Sequence, residues 1–176
     1  DERRETDRTR RDLRAGFQTI GAQEGIDEME RLDSAYQTFG EAIAASRGLP
    51  WTPTRMLPGL ADETYSRGLS VLSDALALLT IASRLRPDDD QQAKVERFRT
   101  LGHELLDQVG RCTHALNEAS LEVTLMKVQP AESSVGAVVD TMQSNVERVR
   151  DVQDAFRRLD TGSGPLRTDP EEESGR

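Results

Sequence analysis

The sequence is poorest in the residues on which most protein chemistry depends. It has one cysteine, Cys112, two histidines, His103 and His114, one tryptophan, Trp51, and two lysines, Lys94 and Lys127. A single cysteine forms no internal disulfide, which fits a reducing compartment and a cytoplasmic location. Aromatic residues make up 4% of the chain. Phe17, Tyr36, Phe39, Tyr65, Phe98 and Phe156 all fall on apolar stripes, which leaves none of them free to stack an exposed base. Carboxylates outnumber cations 32 to 23, for a net charge of −9. That sign opposes nucleic acid and anionic lipid surfaces, because both are recognised through clustered cations.

Catalytic patterns are missing as well. Neither G-x-x-x-x-G-K-[ST] nor G-x-G-x-x-G occurs, so no phosphate cradle is expected, and no G-x-S-x-G presents a nucleophile. The Glu-x-x-His spacing of di-iron bundles is absent. Asp88, Asp89 and Asp90 invite a calcium reading that fails, since the twelve-residue loop needs Gly at 93 and Glu at 99, where this chain has Ala93 and Arg99. These gaps lead to the expectation of a non-enzymatic protein with no cofactor, no metal and no nucleic-acid partner.

No apolar run is long enough for a membrane. The best candidate, "GLSVLSDALALLTIASRLRPDDDQ" at residues 68–91, is interrupted by Asp74 and ends at Arg84 and Arg86, whereas a span needs about 20 apolar residues. The opening "DERRETDRTRRDLR" has no Met and no apolar stretch behind its charges, so no signal peptide is expected. The missing Met fits a segment of a longer protein, whose flanking membrane or targeting sequences would lie elsewhere.

What the chain does have is helical periodicity between prolines. Every proline lies at 50–58, at 87, at 130 or in the C-terminal tail, and proline is expelled from helix interiors. The segments between them carry apolar residues three and four apart, the helix signature. Ile26, Met29, Leu32, Tyr36, Phe39 and Ile43 form one stripe. Leu13, Phe17 and Ile20 form a shorter one out of phase with it, so a kink or a second helix is expected at Gly21 and Gly25. Val95, Phe98, Gly102, Leu105, Val109, Cys112, Leu116 and Ala119 step along a narrow, coiled-coil-like seam. Val135, Val138, Met142, Val146, Val149, Val152, Phe156 and Leu159 repeat the pattern. Residues 120–130, "SLEVTLMKVQP", read as the third helix continuing with apolar residues all round, because no second strand is available to pair with them.

Residues 67–85 differ from the rest. Their apolar positions span roughly 200° of arc, about twice what a surface helix needs. This predicts a central helix, with Tyr65, Leu69, Leu72, Leu76 and Leu79 facing one neighbour and Val71, Leu78, Ile81 and Leu85 another.

The expected fold is therefore all-α: an antiparallel bundle of four or five long, coiled-coil-like helices. A charged, helical N-terminal arm is expected at 1–14, the bundle at 15–160, and a disordered acidic tail at 161–176. His103/Asp107 and His114/Glu118 share a face, but the pairs are about 16 Å apart at 1.5 Å rise per residue. Each pair offers only two ligands, so both read as solvated surface pairs. Trp51 stands in a loop where Arg47, Pro50 and Pro53 match a polyproline-ligand form; the competing reading makes Trp51 a plug over the bundle end.

Function then points to a helical interaction or scaffold protein. Its partner is another protein or, in first place, a second copy of the chain, and Trp51, Leu78, Ile81, Leu121 and Leu125 are the candidate partner-binding residues. Membrane-curvature and sensory ligand-binding bundles are the alternatives.

Overall fold

The computed structural model describes residues 2–46, 56–85, 89–128 and 135–161. These form five helices, α1 (Glu2–Ile20), α2 (Gln23–Ala45), α3 (Met56–Arg84), α4 (Asp89–Val128) and α5 (Val135–Thr161), with no strand among the described residues. No helix is long and apolar enough to cross a membrane. Trp51 and tail residues 162–176 lie outside the described residues, as do the side chains of Phe156 and Leu159.

The helices alternate in direction, and side-chain pairs give the register. Arg10 meets Asp33, Arg14 meets Glu30, and Phe17 lies against Gly25, so α1 and α2 run antiparallel. Tyr36 with Asp62, Tyr65 with Asp33, and Leu32 against Gly68 do the same for α2 and α3. Leu79 lies against Gly102 of α4, and Gln153 of α5 reaches Ser70 and Asp74 of α3. Helix α3 touches all four others, as its wide apolar arc requires, and α4 is covered by α2, α3 and α5.

Between α1 and α2 the sequence allows a kink or two helices, and the chain makes two. Gly21 adopts φ 69°. Its N–H donates to Gln18 O and the N–H of Ala22 to Phe17 O. This is the Schellman arrangement that satisfies the last carbonyls of a helix and favours glycine at the left-handed position. The reversal folds α2 back along α1. Pro58 lies inside the first turn of α3, where a missing N–H costs nothing because that turn has no carbonyl partner to lose.

Two expectations change. Residues 1–14 are helical from Glu2 but continue unbroken to Ile20, with Leu13 and Phe17 buried, so the charged stretch is the front half of a docked helix. On α4, the narrow seam becomes a broad face. Leu105 and Leu106, Gln108 and Val109, Cys112 and Thr113, Ala115 and Leu116, and Ala119 and Ser120 are buried in adjacent pairs. Neighbouring positions are about 100° apart on a helix, and only cover from several helices buries both.

Candidate docking face and polar groove

The solvent-facing side of α4 changes character along its length. Asp107, Arg111, His114, Glu118, Leu121, Leu125 and Val128 follow one another at steps of three and four, and all are exposed. The first four are charged or titratable. The last three are apolar, with Leu121 66%, Leu125 47% and Val128 72% exposed. On the opposite side of the same turns, Val123 and Met126 are sealed in the core. The stretch expected to be apolar all round is thus half buried and half bare.

Of the partner-binding candidates, Leu121 and Leu125 share this stripe. Ile81 is exposed, 45%, but lies near the C-terminal end of α3, together with Leu85. Register places that end beside the first half of α4, since Leu79 meets Gly102, so Ile81 is far from Leu121 and Leu125. Leu78 is a correction: at 3% exposure it belongs to the core, because α3 is packed against all four other helices and this flank is covered as far as Leu78, leaving only Ile81 and Leu85 at its end exposed. Val128 joins the candidates, and the signal for it is its spacing, which continues that of Leu121 and Leu125.

A second feature lies between α1, α2 and α3. Before Leu13, α1 has no apolar side chain to offer its neighbours, and an open groove of about 1290 Å³ results. On its floor the rings of Tyr36 and Tyr65 stack with centroids 4.2 Å apart. Tyr65 Oη donates to Asp33 Oδ1 at 2.7 Å, Arg10 Nε donates to Asp33 Oδ2 at 2.8 Å, and Tyr36 Oη donates to Asp62. Burial pushes the Tyr65 phenol well above its ordinary range, and the Asp33 carboxylate beside it pushes the same way. Burial works against the Arg10 charge, but the hydrogen bond and charge of Asp33 outweigh it, so its pKa rises on balance. Tyr65 stays protonated and Arg10 stays charged at neutral pH. The network acts as a polar joint holding the front of α1 to α2 and α3.

The histidines are apart, as expected, but partnered differently. His103 Nδ1 lies 3.0 Å from Glu24 Oε2 on α2, across helices rather than on its own, while His114 Nε2 lies 3.4 Å from Glu118. Among the described residues no group of three or more His, Cys, Asp or Glu is placed to hold a metal ion. Cys112 is buried between α4 and α5. Burial raises its thiol to about 11, with the neighbouring Asn145 amide pulling slightly the other way; a thiol held protonated is a poor nucleophile.

No family model, curated protein or solved structure matches this chain.

Proposed function

We propose that the chain is a non-enzymatic helical interaction module that associates through the last turns of α4, with a second copy of itself as the first partner. One observation carries this reading: a single solvent-facing stripe is charged from Asp107 to Glu118 and apolar from Leu121 to Val128. Burying a leucine side chain gains about 1.5–3 kcal/mol over leaving it in water. A helix with two exposed leucines and a valine in register therefore gains by meeting another apolar stripe, as helices in grooves and paired coils do.

The patch is small, so the association is weak and concentration-dependent. Light scattering at about 100 μM, a concentration that populates micromolar complexes, should give a mass above the 19.6 kDa of one chain. A variant carrying both Leu121→Glu and Leu125→Glu should return to that mass with its helix content intact. A wild type that stays at one chain's mass removes self-association. A double variant that unfolds would place these leucines in a closed core instead.

A further inference from the structure

We propose that α5 is a releasable helix, docked onto the α3–α4 pair through an interface that two unsatisfied buried amides keep weak. The inward face of α5 carries Val138, Met142, Val146 and Val149, and beside them two amides, Asn145 and Gln153. Gln153 is satisfied. Its Nε2 donates to Ser70 Oγ at 2.8 Å and to Asp74 Oδ2 at 3.1 Å, which latches α5 to α3. Asn145 is not. It is 9% exposed, and its Nδ2 has no nitrogen or oxygen acceptor; the Cys112 sulfur beside it is the one group it can turn to, and a thiol sulfur is a weak acceptor. One turn before Cys112, on the same face of α4, Gln108 is 2% exposed and its Nε2 also lacks a partner.

These are the only side-chain donors or acceptors left so among the described residues. The other buried polar groups are accounted for. Thr64, Thr113 and Ser120 each donate a hydroxyl to the backbone carbonyl four residues earlier. The shortfall is therefore confined to one place, the layer around Cys112. Docking α5 strips water from two amide groups and returns nothing to them, a cost the docked state alone bears. Lifting α5 away gives both amides back to water and uncovers Cys112. No such cost acts on α2, whose inward residues Ile26, Met29, Leu32, Ala35 and Phe39 are apolar. Of the two helices laid on the α3–α4 pair, α5 is thus the one that releases more easily, and its release is independent of the α4 stripe at Leu121 and Leu125.

Cys112 supplies a reporter, since the lone thiol is sealed until that layer opens. The test is reaction of the intact chain with an aromatic disulfide at neutral pH in increasing sub-denaturing urea, with hydrogen exchange read by mass spectrometry in parallel. Labelling should proceed through an opening whose urea dependence is well below that of global unfolding, because only one helix is exposed. Amides of α5 should exchange ahead of those in α2. Gln108→Leu and Asn145→Leu, which remove the stranded donors with little change of shape, should each slow labelling by about tenfold. Leu125→Glu should leave the labelling rate as it is. Labelling with the full urea dependence of unfolding would overturn the proposal, and so would α5 exchanging in step with α2 or folded leucine variants that label as fast as the wild type. Should the variants fail to fold, the exchange pattern of the unaltered chain decides between release and no release.

Discussion

Helices α2 and α5 both lie against the α3–α4 pair, and they are docked by different means. On α2, the inward residues are long or aromatic: Ile26, Met29, Leu32 and Phe39, with Ala35 among them. Glycine on the facing helix lets them come close. A Cβ at Gly68 of α3 would stand 2.6 Å from the Leu32 side chain; toward α1 it is α2 that supplies the glycine, where a Cβ at Gly25 would stand 2.3 Å from the Phe17 ring. The polar partners of α2, Asp33 and Glu30, work at its edge, where Arg10 and Arg14 reach them. On α5, the inward residues are mostly valines, and the polar partners sit inside the interface instead. The two helices share the same apolar period. What separates them is side-chain volume and whether each buried polar atom has a partner, and those two properties set which helix can leave.

The largest effect should come from truncating each interface in turn. Leu32→Ala removes a fully buried side chain packed on Gly68 and should cost about 2–5 kcal/mol of global stability. Val149→Ala, equally buried on α5, loses two carbons at about 0.8 kcal/mol each. Urea unfolding gives both totals, and hydrogen exchange shows where the loss falls. Val149→Ala should lower protection in α5 and α2 alike, because both openings expose that residue, whereas Leu32→Ala should lower protection in α2 and leave the α5 opening as it is. Equal losses spread over every helix in both variants would erase the distinction between α2 and α5.

A smaller effect is expected from the glycines. Gly25→Ala drives a Cβ into the ring of Phe17, which is fully buried and has little room to turn. Overpacking of this kind costs about 1–3 kcal/mol. Gly136→Ala, on α5, meets nothing within 4 Å and should leave stability level or raise it by up to about 1 kcal/mol through helix propensity. Thermal unfolding of the two variants measures the contrast in closeness of approach. A Gly25→Ala protein as stable as the wild type would show that the α1–α2 hairpin is looser than its geometry implies.

Much of this organisation is legible in the sequence. The stripe from Ile26 to Phe39 enters the core as its spacing requires except at Tyr36, which is half-buried, and the seam residues from Val95 to Ala119 are inward, with Phe98 half-buried. The wide apolar arc of residues 67–85 identifies the helix that touches all the others. What periodicity misses lies on the flanks. It selects Val146 and Val152 on α5, while Asn145 and Gln153, each one position along, are carried inside with them. An apolar stripe fixes the direction of a face, not its width, and the width depends on how many helices cover it. Ile81 and Leu85 fail for the converse reason: their spacing is right, but they stand at the end of α3, where cover runs out. The polar groove follows from an absence, the lack of any apolar residue in α1 before Leu13. In the sequence alone that absence has the look of a solvated arm, because the aspartate that receives Arg10 stands 23 residues further on, at Asp33.

The smallest effect is a pH dependence that belongs to the α5 side. Burial raises the Cys112 thiol from an ordinary 9.0 to about 11. The folded chain thus holds this proton more tightly than the unfolded one does. Its contribution to stability is fully present below pH 9 and is lost as pH rises toward 11, with the slope set by the difference in bound protons. At pH 10 the loss should reach about 1 kcal/mol relative to pH 8, since a tenfold change in a proton-binding equilibrium is worth about 1.36 kcal/mol. Cys112→Val fills nearly the same space and cannot ionise, so urea unfolding of the two proteins at pH 8 and pH 10 isolates the thiol. Tyr65 begins to oppose folding only above its ordinary 10.0, and it is present in both proteins, so its effect cancels. The same difference should be visible in the exchange of α5 amides, because ionising the thiol requires α5 to lift. Amides of α5 that exchange in step with those of α2 at both pH values would mean the thiol is reached only by unfolding the whole bundle, and α5 would then be held as firmly as α2.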